Sequence, residues 1–157
     1  MGRGLLAPRA RLMESTPKID EKRSRVMRAV KGRDTGPELI VRRALWSAGL
    51  RYRLYDKNLP GRPDIVFPSR KLVIFVNGCF WHGHAGCPRS RIPKTRTEYW
   101  TQKIEGNKRR DIAARRNLKA LGWKALTIWE CEIKQQEKLT RLVARVMEAR
   151  NPSALKR

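Results

Sequence analysis

Four residues of this chain carry the chemistry of a zinc site: Cys79, His84, Cys87 and Cys131. Zinc takes four tetrahedral thiolate or imidazole ligands, and a site whose four positions are all filled by protein is closed and structural. Three of the four fall within residues 79–87 and the fourth follows much later, so a bound ion would staple a loop to a distant element. Such a staple can supply roughly 10 kcal/mol or more toward folding. The set contains all three cysteines of the chain, and an odd count argues against a disulfide framework. The spacing matches no standard finger template. The plainer alternative is three reduced thiols packed as small hydrophobes, with a surface histidine nearby. A glycine-containing, apolar-poor loop favours the ion, since little else would hold it.

A second constellation is made of hard oxygens and an imidazole. Asp64 closes the run Gly61-Arg62-Pro63-Asp64 and stands at the entry of an apolar segment. A carboxylate at a strand end suits Mg²⁺, which binds hard oxygens and keeps most of its waters. The ordinary alternative is a turn or cap aspartate. Nuclease carboxylates are usually followed on the next strand by Glu/Asp-x-Lys. Here the next apolar run ends Phe75-Val76-Asn77-Gly78 and carries no carboxylate or lysine at that place, although a backbone carbonyl near Val76 could still reach the metal. His82 has the chemistry of a general base for attack of water on phosphorus. Such a base needs an orienting partner, and Asp111 is a candidate, although spacing alone does not join them. The chain has only two histidines, so His82 could equally be the fourth zinc ligand and His84 the base.

Phe80, Trp81 and Trp100 are the aromatic candidates for stacking on bases or wedging between base steps. Core packing is the rival reading and suits Trp46, Trp123 and Trp129 better. Met27 is either a further wedge or a core methionine.

These residues need elements to position them. Residues 1–17 show no periodicity and read as a disordered basic arm, with residues 18–157 as a single domain. A short basic helix is expected over 20–30, ended by Gly32. Thr35-Gly36-Pro37-Glu38 has capping-box spacing, and Leu39, Ile40, Ala44, Leu45 and Ala48 then form an apolar stripe closed by Gly49. Strands are expected over 51–55, 64–67, 71–76 and 123–129, with the middle two forming a hairpin through Pro68-Ser69-Arg70. A long helix over 97–121 carries Tyr99, Trp100, Ile104, Ile112, Leu118 and Leu121, and a last helix covers 138–150. That order predicts one α/β domain with a mixed sheet.

Charge names the class of partner. The 157 residues hold 37 Lys and Arg against 14 Asp and Glu, a net +23. Nucleic acid is the expected polyanion, because each cation placed on a phosphate releases counterions. The longest aliphatic-aromatic run, residues 72–76, is far too short to span a bilayer. With no secretory h-region, the expected compartment is the cytoplasm.

Taken together, Leu59-Pro60-Gly61-Arg62-Pro63-Asp64, Val76-Asn77-Gly78-Cys79-Phe80-Trp81-His82-Gly83-His84, Lys94-Thr95-Arg96-Thr97-Glu98-Tyr99-Trp100 and Trp129-Glu130-Cys131 resemble the very short patch repair mismatch endonuclease family (Vsr). The likeness runs over residues 20–150, and its Gly-Cys-Phe-Trp-His segment is its most specific part. It implies a restriction-endonuclease-like α/β fold, a mixed central sheet flanked by helices, with a structural zinc. It also implies Mg²⁺-dependent nicking of double-stranded DNA 5′ of the thymine in a T:G mismatch left by 5-methylcytosine deamination. Carried onto this chain, Asp64 and the Val76 carbonyl bind Mg²⁺, and His82 is the base oriented by Asp111. Glu38 is an acid of the first helix near the site. Cys79, His84, Cys87 and Cys131 hold Zn²⁺. Phe80, Trp81 and Trp100 enter at the mismatch from the major-groove side, with Met27 wedging from the other. The likeness further implies a monomer working at the nucleoid, with a repair polymerase and ligase acting downstream. Two departures are visible: Asn77 stands where some members carry histidine or aspartate, and Ala85-Gly86 gives the zinc loop an extra residue. Rival readings are a double-strand-cutting nuclease of the same fold and a catalytically inert zinc module that only binds DNA.

Overall fold

The computed structural model describes residues 32–149. The expectations for the arm, the helix over 20–30 and Met27 lie outside the described residues. The chain divides after Gly32, and the second unit is described over residues 33–149.

Helix α1, Gly36–Ser47, starts where the capping signal stands, and Glu38 N–H reaches Thr35 Oγ1 at 3.5 Å. Its glutamate does not reach back to the cap's own N–H as in a standard box. It accepts from Thr35 Oγ1 at 2.8 Å and from Asp34 N–H at 3.1 Å. The buried stripe also differs from the apolar one expected. Val41, Leu45, Glu38 and Arg42 face inward while Leu39 and Ile40 are exposed. An internal ion pair occupies half of that inner face, and it turns the helix away from the position its aliphatics alone would select.

Three strands follow: β1 Arg53–Leu54, β2 Ile65–Phe67 and β3 Leu72–Asn77. The first is shorter than its sequence pattern. β2 and β3 form the expected antiparallel hairpin, with Ile65 opposite Ile74 and Phe67 opposite Leu72. Its turn is a 3-10 segment, Pro68–Arg70, closed by Lys71 in the left-handed region. The long helix α2, Thr97–Ala120, crosses over so that β4, Lys124–Trp129, runs parallel to β3. The sheet order is β1-β2-β3-β4. A short helix α3, Glu130–Ile133, was not expected from the sequence, and α4, Gln136–Glu148, completes the described chain.

Strand alternation sends successive side chains to opposite faces. Ile65, Phe67, Leu72, Ile74, Leu126 and Ile128 pack with α1, α3 and α4 in the larger core. Val66, Val73 and Leu118 form a thinner one on the other face, with Leu59, Phe75 and Trp123 around it. Helix α2 buries only Ile104, Ala114 and Leu118, while Ile112 and Leu121 are exposed. Each fully buried aliphatic contributes about 1.5–3 kcal/mol. The long helix is therefore held by few core contacts, and the loops that pack on it supply the remainder. Trp46 is not a core residue. It is 55% exposed, with the Arg51 guanidinium 3.8 Å from its ring centroid. No helix among the described residues is long and apolar enough to cross a membrane.

Candidate active site and metal centre

Asp64 is delivered by a turn that only glycine permits. Gly61 has φ +77°, and a Cβ there would lie 2.6 Å from Ala114 Cβ and 3.2 Å from the Phe75 ring. The turn thus lies directly on α2 and against the sheet before the chain enters β2 through buried Pro63. Pairing of β2 with β3 begins at Ile65–Ile74, so Val76 has no strand partner on that side. The Asp64 carboxylate takes its place: Oδ2 accepts the Val76 N–H at 2.7 Å. Burial pushes the Asp64 acid up to about 6 from 3.8. The Val76 hydrogen bond opposes this shift, the Glu38 charge adds to it, and Arg42 and His82 oppose it more weakly.

That shift has a stability consequence whose sign is fixed. An acid whose folded value lies above its unfolded value favours folding below the unfolded value. It loses that contribution as pH rises through the folded one. Asp64→Asn, assayed without added Mg²⁺, is expected to be more stable than wild type at pH 8 by on the order of 2 kcal/mol. The difference should vanish toward pH 4. Equal urea midpoints at pH 8 would contradict it.

Glu38 and Arg42, 4% and 7% exposed, form an ion pair at 2.8 Å beside this carboxylate. Arg42 also reaches Asp34 at 2.6 Å and the Tyr55 hydroxyl, and Tyr55 donates to Glu38 Oε2 at 2.7 Å. Both Glu38 oxygens are engaged by these groups and by Thr35, so Glu38 influences Asp64 through its field while holding α1 to the segment after β1. Sequence reasoning missed Arg42, Tyr55 and Asp34. The i,i+4 spacing of Glu38 and Arg42 was the available signal.

The loop after β3 coils back on itself through His82 N–H to Gly78 C=O at 3.2 Å and His84 N–H to Cys79 C=O at 3.0 Å. It descends onto α2 at Gly83, where a Cβ would meet Lys108 Cε at 2.4 Å and Ile104 Cγ2 at 2.8 Å. The two histidines leave this pinned point in different directions. His82 Nδ1 lies 2.6 Å from Asp111 Oδ2 on α2, and both are half-buried. His84 goes to the cysteines. An ionised carboxylate can only accept, so Nδ1 of His82 carries a proton, and it is Nε2 that has the lone pair whenever the ring is neutral. A third tie fixes the loop: Asn107 Nδ2 donates to the Trp81 carbonyl at 2.6 Å, and Arg110 donates to Asn107. Asn107 was also missed. It belongs to the helical repeat Trp100, Ile104, Asn107, Asp111, whose period marks the inner face of α2.

Phe80, Trp81 and Trp100 come together edge-on, with centroids 5.3 Å apart for Phe80–Trp81 and Phe80–Trp100 and 6.1 Å for Trp81–Trp100. Tyr99 extends the group at 5.1 Å from Trp100 and is exposed.

The sulfur and imidazole donors of Cys79, His84, Cys87 and Cys131 all lie within 4.8 Å of one another. His84 Nδ1 is 3.6 Å from Cys79 Sγ and 3.3 Å from Cys131 Sγ. Bonds of about 2.0–2.3 Å at tetrahedral angles require edges of about 3.3–3.8 Å, and the two His84–cysteine distances match such edges for a zinc-sized ion. Burial and the neighbouring thiols push Cys131 up to about 12, and burial raises Cys79. The Arg89 N–H instead lowers Cys87. Three thiols this close cannot all ionise unless a cation compensates them. Cys131→Ser is expected to reduce bound zinc severalfold and to lower Tm by several degrees, read by metal analysis and thermal melting. Unchanged metal content would refute the assignment.

The matched family model is that of the DNA mismatch endonuclease Vsr, over residues 18–88. The chain is 48% identical over 133 residues to the type II nicking enzyme V.XorIIP of Xanthomonas oryzae pv. oryzae, covering 85% of this chain and 95% of the relative. It is 43% identical over 132 residues to the nicking enzyme V.NmeAIP of Neisseria meningitidis, covering 82% and 94%. The DNA mismatch endonuclease Vsr of Escherichia coli is 46% identical over 118 residues, three quarters (75%) of each chain. Identity at this level over most of both partners is decisive, and the chain belongs to the Vsr family of DNA mismatch endonucleases.

Proposed function

We propose that this endonuclease nicks one strand of duplex DNA 5′ of the thymine in a T:G mismatch, by Mg²⁺-dependent hydrolysis, on a restriction-endonuclease-like fold. The observation that carries the reading is the His82–Asp111 contact of 2.6 Å, on the loop that follows the strand whose Val76 N–H is held by Asp64. A part-buried carboxylate and an oriented imidazole suit metal-assisted attack of water on a phosphodiester.

Asp64 and the Val76 carbonyl would hold Mg²⁺. In an extended strand a residue's N–H and C=O face the same side, and the Val76 N–H already faces Asp64. When bound, the ion supplies charge neutralisation at the scissile phosphate. His82 Nε2 accepts the proton of the attacking water. Asp111 holds the ring in the tautomer that allows this and stabilises the imidazolium that forms. Glu38, saturated with hydrogen bonds, is a positioning acid. Phe80, Trp81 and Trp100 would enter the stack at the mismatch, where opening costs less than at a matched step. The Cys/His cluster would hold Zn²⁺ structurally, tying the loop that bears His82 to the end of β4. The nick is then a substrate for a polymerase and a ligase.

Incubating the protein with a T:G duplex labelled on both strands tests this. Expected is cleavage of the thymine strand alone, dependent on Mg²⁺. Cleavage of both strands, or cleavage without a divalent ion, would reject it.

A further inference from the structure

The Cys/His cluster has a neighbour that its four ligands do not account for. The His84 imidazole lies flat against the Trp129 indole, with centroids 4.1 Å apart and planes 4° from parallel. Every other ring pair found among the described residues is edge-on, between 64° and 80°. The indole is itself fixed. Trp129 is the last residue of β4, in parallel register with Asn77, and its N–H donates to Glu132 at 3.1 Å. Two residues on, the same chain supplies Cys131. The stacked ring turns Nδ1 toward Cys79 and Cys131.

We infer that Trp129 is a positioning residue of this centre: its indole face holds the His84 ring in the plane from which Nδ1 completes the ligand set. Metal-binding histidines are ordinarily oriented by groups outside the ligand shell, and loss of such a group costs roughly 10–100-fold in affinity. Here an aromatic face anchored in the sheet orients the ring. His84 is separated from His82 only by Gly83, so the same platform bears on the imidazole held by Asp111. Coupling is reciprocal. If the stack strengthens ion binding, ion binding tightens the stack.

This rests on the reading of the cluster as a metal centre, and the test separates the two. Zinc affinity is measured on the full chain by competition with a chromophoric chelator, for wild type, Trp129→Met, Trp129→Phe and Cys131→Ser. Expected are one Zn²⁺ per wild-type chain, a roughly 10–100-fold loss in Trp129→Met, and recovery to within about threefold in Trp129→Phe, which keeps the ring face. No zinc uptake by wild type would remove the metal centre and this inference with it. Uptake by wild type with a folded Trp129→Met variant binding equally well would overturn the inference alone. Should Trp129→Met not fold, the Trp129 emission is isolated as the difference between wild type and Trp129→Phe. It is expected to change on loading with Zn²⁺, and an emission indifferent to zinc would overturn the role.

Discussion

Asp64→Ala is expected to leave no measurable nicking while duplex binding stays within a few-fold of wild type. The residue is the part-buried carboxylate at the entry of β2, and Oδ2 is already committed to the Val76 N–H. Among the described residues, no hydrogen bond occupies Oδ1, which leaves that oxygen for a hard cation. Alanine removes the ligand and exposes the Val76 donor. It changes the protein's charge by only one unit against a net +23, so electrostatic attraction for DNA persists. Single-turnover nicking and a binding titration, run on the same preparation, separate the two effects. Retained nicking would remove Asp64 from the mechanism. Loss of both nicking and binding would point to misfolding, and Asp64→Asn, which keeps the Val76 hydrogen bond, then decides.

His82→Ala is expected to slow nicking by about 10²–10⁴-fold, the usual contribution of a positioned base. Its Nδ1 contact with Asp111 and the Asn107 tie to the neighbouring Trp81 carbonyl hold the ring from α2. Asp111→Asn should lower the rate in the same direction, because an amide can donate to Nδ1 and stabilise the wrong tautomer. Neither substitution touches the cysteines, so zinc content should be unchanged. A His82→Ala enzyme within threefold of wild type would reject the base. A double mutant no slower than the worse single variant is expected for groups acting as a unit.

How much of this was legible in the sequence depended on the period of each signal. The hairpin of β2 and β3 and the crossover by α2 followed from apolar runs bounded by Pro and Gly. The four metal-site donors were identifiable by residue type. Which histidine belonged to which site was not, because two positions separated by one glycine have no distinguishing spacing. The choice is made in three dimensions, by Gly83 lying against Ile104 and Lys108. The inner face of α1 was misread for a related reason. Apolar counting selected Leu39 and Ile40, whereas Glu38 and Arg42 are the buried residues, stabilised by each other and by Tyr55 from beyond β1. Trp46, Trp123 and Trp129 were read as core residues. Trp46 lies exposed beneath Arg51, and Trp129 serves as the platform for His84. Side chains that bury charge or stack on a ligand answer to partners distant in sequence, and no local pattern encodes them.

In the proposed function, the substrate is a weakened T:G pair set among Phe80, Trp81 and Trp100. The most direct test offers the wild-type protein with Mg²⁺ two end-labelled duplexes, identical except for one T:G or T:A pair, across a panel of flanking sequences. Expected is a single nick immediately 5′ of the mismatched thymine in at least one context, with the matched duplex intact. Equal cutting of T:A and T:G duplexes would contradict it.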